Sequence, residues 1–251
     1  MKKQKFKLPV KIILILAIIL LAVYFLIGYI WKVLTTSDFF AVGQVVVRNS
    51  NTSFDYLKGR NIFSLDLKGQ ALKARLGCPD CRLVRFARIF PDCVFVDFVK
   101  RKPLALVKFY RDFAIDEQGV LFYPTGSLEE AGLPVIYGLE TKIFKPTPGT
   151  RYYRPEISLA LSIISEFKAN KNLQGFTLKR VDVANPESAG FFMFLPKQER
   201  LGFEVRTGSN NIRTKMMILG GLVKQASKEW ANIKYIDLRF KEPVIKLINE
   251  F

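Results

Sequence analysis

Hydrophobic and polar positions alternate differently in three regions of the chain, and the first region is an unbroken apolar run. Ile12 to Trp31 contains no charged residue. At about 1.5 Å per residue, a helix over this run spans roughly the 30 Å hydrocarbon core of a bilayer. Only a helix or a closed barrel satisfies its backbone groups in lipid. The pattern therefore predicts a single transmembrane helix over residues 12–31, preceded by a tail over residues 1–11.

Lysines are distributed unequally around this run. One lysine, Lys32, follows it closely, and five precede it: Lys2, Lys3, Lys5, Lys7 and Lys11. Under the positive-inside rule, the N-terminus lies in the cytoplasm and the rest of the chain outside, across the cytoplasmic (inner) membrane. A cleaved signal peptide is the alternative, but its apolar region is normally shorter and ends in small residues. The long run ending at Trp31 favours an uncleaved signal anchor.

The second region, residues 38–103, has the pattern of a small sheet with helices. Asp66 is the expected N-cap of a helix over 67–76, in which Leu72 and Leu76 lie one turn apart and are expected to face the sheet. Alternating apolar positions predict strands, and 61–65 is expected to be a short extended piece. The predicted strands cover residues 39–47, 83–90 and 93–100. This is a three-stranded sheet covered by helices on one face.

The third region, residues 104–251, alternates many short strands with two helices. Pro155 suits the first turn of a helix that ends near 168, and a second helix begins near 212. The second helix carries an apolar stripe of Ile212, Met216, Leu219, Val223, Ala226 and Trp230. Strands are predicted over 104–109, 113–116, 120–123, 133–138, 176–183, 191–195, 201–206, 233–240 and 244–248. The predicted class is α+β, with a large, mainly antiparallel sheet packed on two helices.

Several segments of the sequence resemble the FtsQ/DivIB family of bacterial cell-division proteins. They are RNIFSLDL, RLVRFARIFPDCVFVDFVKRKPLALV, FAIDEQGVLF, TGSNNIRTKMMIL and YIDLRFKEPVIKL. The matching positions include Phe90, Pro91, Val94, Val96, Arg101, Pro103, Leu104, Ala105, Asp116, Gly119, Phe122, Gly208, Lys215 and Leu219. Two features depart from the family pattern: Lys100 stands where the family usually has Glu, and the segment before Asn61 is short for a first helix. The resemblance implies a POTRA domain over 38–103 and an FtsQ-type β domain over 104–251.

This resemblance implies a non-enzymatic scaffold at the division septum that binds FtsB/DivIC-like and FtsL-like proteins and positions septal peptidoglycan synthesis. The physical mechanism expected for it is β-augmentation, in which a partner segment pairs with the unpaired edge of the terminal strand. The predicted contact residues are Arg239, Phe240, Lys241, Val244, Ile245, Lys246, Leu247 and Ile248. The alternative is that Val244, Ile245 and Leu247 fill the core and that the strand is covered.

Composition excludes several classes of function. The chain has no histidine, which removes Ser-His-Asp, Cys-His and HExxH chemistry. No P-loop, GxGxxG or GxSxG motif is present, and the pattern places no partner carboxylate for Asp116, in the turn before Gly119, to act with in catalysis. No catalytic residue, metal or cofactor is expected. The net charge of +17 favours an anionic surface or an acidic partner over nucleic acid, because no nucleic-acid-binding motif accompanies it.

Three cysteines leave an alternative function open. Cys78 and Cys81 have the CxxC spacing of a redox pair or half a zinc site, and Cys93 is the third. A zinc site lacks ligands, and a redox site is expected at a helix N-terminus, whereas this pair follows a helix. A Cys78–Cys81 disulfide and free thiols both remain open. The alternative functions are a membrane-anchored thiol-disulfide oxidoreductase and a POTRA-bearing envelope-assembly adaptor.

Overall fold

The structure is a computed structural model that describes residues 10–124, 132–195, 198–225 and 230–248. The chain forms two compact units. The first contains Met1–Gly77 and Leu83–Val99, and the second contains Cys78–Arg82 and Lys100–Phe251. The architecture is α+β, with an N-terminal apolar helix, a three-stranded sheet and a large mixed sheet with helices, as the sequence predicts.

Helix α1 spans Val10–Thr36 and is the one helix among the described residues that is long and apolar enough to cross a membrane. The predicted span over 12–31 lies inside it. Beyond Trp31 the helix continues for five more residues, and the chain then turns through a 3-10 segment, Asp38–Phe40. The Ser37 side chain accepts a hydrogen bond from the Phe39 amide at 3.3 Å and so caps that turn.

The first unit contains a three-stranded sheet in the order β1-β3-β2, with β1 parallel to β3. The strands are β1 (Gln44–Arg48), β2 (Cys81–Ile89) and β3 (Cys93–Lys100). Helix α2 covers Leu67–Leu76, and Asp66 caps it by accepting a hydrogen bond from the Gly69 amide at 3.0 Å, as predicted. The buried side chains of this unit include Leu57, Ile62, Val94, Val96 and Phe98.

Three predictions for this unit are wrong. Strand β1 begins at Gln44 and not at 39, because the preceding residues form the 3-10 turn. Residues 61–65 form a turn. Leu72 and Leu76 do not face the sheet, since they are 60% and 77% exposed. The inward face of helix α2 instead contains the buried Leu67 and, at helical spacing from it, the half-buried Ala71 and Ala74.

The second unit is built on a nine-stranded sheet in the order β12-β11-β10-β9-β8-β7-β4-β5-β6. Five of its strand pairs are antiparallel, and three are parallel. The strands are β4 (Ala105–Lys108), β5 (Asp112–Ile115), β6 (Leu121–Phe122), β7 (Val135–Tyr137), β8 (Thr177–Asp182), β9 (Gly190–Leu195), β10 (Gln198–Arg206), β11 (Ile233–Asp237) and β12 (Val244–Leu247).

Two helices cover one face of this sheet, α3 (Pro155–Ala169) and α4 (Ile212–Gln225). Their apolar residues and those of the strands form one buried cluster, in which Ile163, Leu219 and Val205 have no measurable exposure. We call the opposite face of the sheet the outer face. Because α3 and α4 occupy the inner face, the outer face and the sheet edges are the surfaces that a partner strand or segment can reach.

The prediction for the second helix differs in its last turn. Helix α4 is described to Gln225, and Ala226 lies outside the described residues. Trp230 belongs to a separate 3-10 turn, Trp230–Asn232. Its ring still packs against the core, and its Nε1 donates to the Val223 carbonyl at 2.8 Å. Likewise β11 ends at Asp237 rather than at 240, because the chain then turns toward β12.

Candidate protein-interaction site

The terminal strand β12 lies at one edge of the nine-stranded sheet. It pairs antiparallel with β11, with Ile236 opposite Ile245 and Asp237 opposite Val244. Within the described residues, no strand pairs with its other side. An edge strand presents a row of backbone N–H and C=O groups that another extended segment can pair with. The sequence-predicted residues over 244–248 are therefore brought to an edge.

Side chains on β12 alternate between the two faces of the sheet. Leu247 packs against the buried core of the inner face. Lys246 lies opposite Tyr235, and directly opposed residues share a face, so Lys246 lies on the outer face. Val244 and Ile245 are 46% and 36% exposed, which leaves apolar surface on the edge itself. This edge thus offers backbone hydrogen bonds, apolar contact and a cation together.

A row of directly opposed residues crosses the outer face and ends at this edge strand. Its members, one from each of five adjacent strands, are Arg180, Phe192, Glu204, Tyr235 and Lys246. The Arg206 guanidinium stacks over the Tyr235 ring at 4.2 Å and is held by Glu204 at 3.1 Å. Cation–π and ion-pair contacts of this kind order long side chains at a surface. The outer face beside the edge is therefore a structured polar and aromatic surface.

Arg239 is held by a residue of its own chain. Its guanidinium contacts the buried Asp237 carboxylate, with Nη2 at 2.6 Å and Nε at 2.9 Å. The hydrogen bond from Arg239 is the main reason that the pKa of Asp237 is lowered below 3.8. Phe240, in contrast, is 61% exposed, and Lys241 is exposed. Within the described part of the chain, Lys241 and Lys246 form no ion pair, so among the predicted contact residues these two lysines are the cations available to an acidic partner.

A groove of about 560 Å³ lies on the outer face near this row. Its lining includes two carboxylates, and each is paired with an arginine of its own strand: Asp182 with Arg180 at 2.9 Å and Glu204 with Arg206 at 3.1 Å. Paired carboxylates of this kind are poor general bases, because their negative charge is already stabilised by a cation. The groove therefore fits recognition better than acid–base chemistry.

Asp116 has a structural environment. Its side chain is 6% exposed and lies 2.6 Å from Nη1 of the equally buried Arg101. Its other oxygen accepts hydrogen bonds from the amides of Gln118 and Val120 at 3.0 and 2.9 Å. Gly119 in the same turn has φ of +77°, a left-handed conformation that glycine adopts without steric cost. Both oxygens of Asp116 are thus used in holding the turn.

Cys78 and Cys81 are joined in a disulfide, with their Cα atoms 5.3 Å apart, and Cys93 is a free, partly buried thiol. Cys78 directly follows Gly77, the C-cap of α2, so the N-terminal helix dipole that activates redox thiols is lacking at this position. Asp80 lies within reach of both sulfurs and forms an ion pair with Lys100 at 2.7 Å. A disulfide-bonded pair offers no thiolate to a metal ion. The disulfide instead cross-links the turn between α2 and β2.

The two residues that bound the predicted span both lie in α1. Ile12 is exposed near its N-terminal end, and Trp31 is exposed five residues before its C-terminal end. Trp31 contacts the Phe63 ring of the first unit with ring centroids 6.4 Å apart. The helix surface between them is exposed and apolar, which is the surface expected of a helix that crosses a membrane.

Sequence reasoning missed the outer-face row apart from Lys246. Part of the signal was present in the alternation of the predicted strands, because Phe192 and Glu204 each lie between two buried neighbours, whereas Tyr235 follows the exposed Lys234. What the sequence does not contain is the order of the strands, and so it does not show that these residues are neighbours across the sheet. Arg206 and Asp237 were missed for the same reason.

Comparison with known proteins agrees with this architecture. The model of the family described as "Cell division protein FtsQ/DivIB, C-terminal" matches residues 105–239. The chain is 23% identical over 223 residues to Cell division protein FtsQ of Syntrophotalea carbinolica, covering 85% of this chain and 76% of that protein. It is 22% identical over 232 residues to Cell division protein FtsQ of Geotalea daltonii, covering 87% and 80%. The protein of the same name from Geobacter sp. (strain M21) is 24% identical over 189 residues, covering 74% and 65%. Since the family model matches more than half of it, the chain belongs to the FtsQ/DivIB family of cell-division proteins.

Proposed function

We propose that this cell-division protein is a non-enzymatic scaffold that recruits FtsB/DivIC-like and FtsL-like partners and couples them to septal peptidoglycan synthesis. Helix α1 anchors it in the cytoplasmic (inner) membrane, with the N-terminus in the cytoplasm and both folded units outside. The lysines before the apolar run support this orientation. Family membership supports a place at the division septum.

One observation carries the proposal, the open edge at β12. A partner segment in extended conformation adds to it as a tenth strand, so that main-chain hydrogen bonds provide affinity. The exposed side chains of Val244 and Ile245 give the added strand apolar contacts. The family model's match ends at residue 239, before this strand, so the residues proposed for contact lie beyond the matched segment.

Charge provides selectivity in this proposal. Lys241 and Lys246 attract acidic residues of the partner and exclude basic segments, and this acts mainly on the association rate and on partner choice. Arg239 is assigned a different role, because its guanidinium is bound to Asp237. It holds the turn that leads from β11 toward β12 and leaves the exposed Phe240 beside the edge.

The binding experiment uses the full chain in lipid nanodiscs and the extracytoplasmic stretches of the FtsB-like and FtsL-like proteins of the same organism. A variant that ends at Pro243 lacks β12, and a matched control that ends at Ile248 keeps it. We expect tight binding by the full chain and by the control, and loss of binding by the shorter variant. Binding retained by a folded variant ending at Pro243 overturns strand addition at this edge. No binding by the folded full chain overturns the scaffold proposal itself.

The orientation has its own experiment. A reporter enzyme that is active only outside the cytoplasm is fused after Phe251, and a matched reporter is fused before Met1. We expect activity from the first fusion alone, because the lysine-rich tail is retained in the cytoplasm. Activity from the second fusion alone overturns the proposed orientation.

A further inference from the structure

Five aromatic rings form a connected chain within the first unit, where the C-terminal part of α1 meets the residues that follow it. The Phe63 ring lies at the centre, 6.4 Å from Trp31, 5.1 Å from Phe40 and 5.3 Å from Phe90 between ring centroids. Phe39 extends the chain on the far side of Phe40, at 5.1 Å. The rings therefore run without a break from the apolar helix to the turn between β2 and β3.

These rings are outside the core of the unit. Trp31, Phe39 and Phe90 are 58%, 67% and 58% exposed, and the adjacent Ile89 is 50% exposed. The core is complete without them, since Val94 and other buried side chains fill it. A contiguous patch of large exposed apolar side chains marks a surface that contacts a membrane or a protein.

The patch has a fixed position relative to the end of the helix. The Asn61 side-chain amide donates to the carbonyls of Leu34 and Ser37 at 2.9 and 3.2 Å, so it satisfies acceptors at the C-terminal end of α1. The same side chain accepts from the Phe63 amide at 2.9 Å. Phe63 is thereby tied to the end of the helix.

The ring chain begins near the level at which the apolar run of α1 ends. Thr36, the last residue of α1, lies five positions after Trp31. At 1.5 Å per residue this is about 7.5 Å, similar to the roughly 5–10 Å over which interfacial segments bury their apolar faces. Because Trp31 contacts Phe63, the ring chain begins at the level where the apolar run ends.

Charged groups around the rings favour an anionic surface. Lys32 follows Trp31, and Arg60 precedes Asn61. The Arg88 guanidinium donates to the carbonyls of Ile62 and Leu65, both at 2.8 Å, which places a third cation beside the patch. Two acidic residues lie close by, Asp38 in the neighbouring turn and Asp92 in the turn after Phe90. The three cations outnumber these two carboxylates, and basic residues near a membrane surface are attracted by anionic lipid headgroups.

We infer that Phe39, Phe63, Ile89 and Phe90 form a second membrane contact, which rests the first unit on the leaflet at the C-terminal end of α1. The occupant is the lipid interface of the membrane that α1 spans, with anionic headgroups against the basic rim. This contact sets the orientation of the small sheet relative to the bilayer. It depends on α1 spanning a membrane, and it is independent of which partner binds β12.

The test places single tryptophans in the full chain, reconstituted in vesicles of phosphatidylethanolamine and phosphatidylglycerol with bromine atoms near the headgroups. The background carries Trp31→Phe and Trp230→Phe, since these are the two native tryptophans. Reporters are Phe39→Trp and Phe90→Trp. The matched control is Leu83→Trp, an exposed position on the same strand as Ile89 and six residues from it, about 20 Å along β2.

We expect brominated lipid to quench both reporters about twofold or more and to leave the control nearly unchanged, because bromine quenches only at close range and the patch lies in the interface. Equal quenching at all three positions overturns the inference. Quenching or shielding of the reporters that appears only when the protein-to-lipid ratio is raised also overturns it, because the patch then contacts a second copy.

A second set of variants separates docking from folding. With Ile89→Trp as the reporter, Phe39→Ser combined with Phe90→Ser is compared with Leu72→Ser combined with Leu76→Ser, which removes exposed apolar side chains from α2. Both pairs are expected to keep the circular dichroism spectrum and the cooperative unfolding of the parent, because they alter surface positions. Loss of bromine quenching in the first pair alone supports the contact. Retained quenching in a folded first pair overturns it.

Discussion

Nη1 of Arg101 lies 2.6 Å from Oδ2 of Asp116, and both side chains are almost fully buried. The pair links the segment after β3 to the turn between β5 and β6. The second oxygen of Asp116 holds that turn through two backbone amides. The residue that seemed the sharpest catalytic candidate by its motif is therefore an anchor of the fold.

The first prediction follows from this pair. Asp116→Ala leaves the Arg101 guanidinium buried without its counter-charge, and removing one partner of a buried ion pair costs about 3–5 kcal/mol. We expect a loss of this size in the free energy of unfolding, measured by urea denaturation. Glu117→Ala is the control, because its side chain is 71% exposed and its contact with Arg82 is long, at 3.8 Å. A loss for Asp116→Ala no larger than for this control contradicts the prediction.

The second prediction concerns two glycines with positive φ. Gly138 has φ of +89°, and an added Cβ there clashes with the backbone nitrogen of Ala184. Gly59 has φ of +75° but has nothing within 4 Å of such a Cβ. Left-handed backbone costs a non-glycine residue about 1–2 kcal/mol, and overpacking adds about 1–3 kcal/mol. We expect Gly138→Ala to lower the melting temperature clearly more than Gly59→Ala, and equal shifts contradict the clash.

Local sequence patterns predicted the bounds of individual helices and strands well, but they predicted less well which residues pack against each of them. The cap at Asp66 and the bounds of α2 follow from one side chain and a few helical positions, and both agree with the structure. The orientation of Leu72 and Leu76 does not follow from the sequence, because it depends on which face of α2 packs against the rest of the unit. The face of α2 that is turned inward contains Leu67 and small residues.

The candidate site shows the same division. The final strand could be identified from the alternation over 244–248, and its position at the edge was an inference from being last. The residues beside this strand on the outer face could not be predicted. They depend on the order of the strands, and that order includes a parallel pairing of β10 with β11 that local patterns do not reveal. The engagement of Arg239 by Asp237 was likewise hidden, although only two residues separate them.

The third prediction uses the cysteines to separate two functions. Cys78→Ser combined with Cys81→Ser opens a loop of four residues, and chain entropy assigns such a loop about 2 kcal/mol of stability. We expect a folded protein with an unfolding free energy lower by about 2 kcal/mol and with unchanged partner binding. A thiol-disulfide oxidoreductase loses its function in this variant, so restored division in a depleted strain supports the scaffold. Failure of a stable variant to restore division supports the oxidoreductase instead.

The fourth prediction concerns acid stability. The hydrogen bond from Arg239 lowers the pKa of Asp237 below its value of 3.8 in the unfolded chain. The unfolded state therefore binds more protons in this range, and the contribution is present above pH 3.8 and is lost as the pH falls through the folded-state pKa. We expect the urea midpoint to fall less steeply below pH 4 in Asp237→Asn than in the parent, with Glu242→Gln as an exposed control. Parallel pH profiles for the parent and Asp237→Asn contradict this linkage.

The last prediction tests the charge at the proposed edge without removing the strand. Lys241→Glu combined with Lys246→Glu reverses the two lysines of the proposed contact, neither of which forms an ion pair among the described residues, and it leaves the backbone of β12 in place. Because steering by charge acts on encounter, we expect the association rate with an acidic partner to fall on the order of 10-fold at low salt, with a smaller change in the dissociation rate.

Lys234→Glu is the matched control for this charge reversal, since Lys234 is an exposed lysine of the neighbouring strand β11 and not of the edge. Raising the salt concentration is expected to bring the rates of the parent and the double variant together, because screening removes long-range attraction. Equal rates for all three proteins at low salt mean that the lysines play no part in recognition. Binding at the edge then depends on main-chain pairing and on Val244 and Ile245.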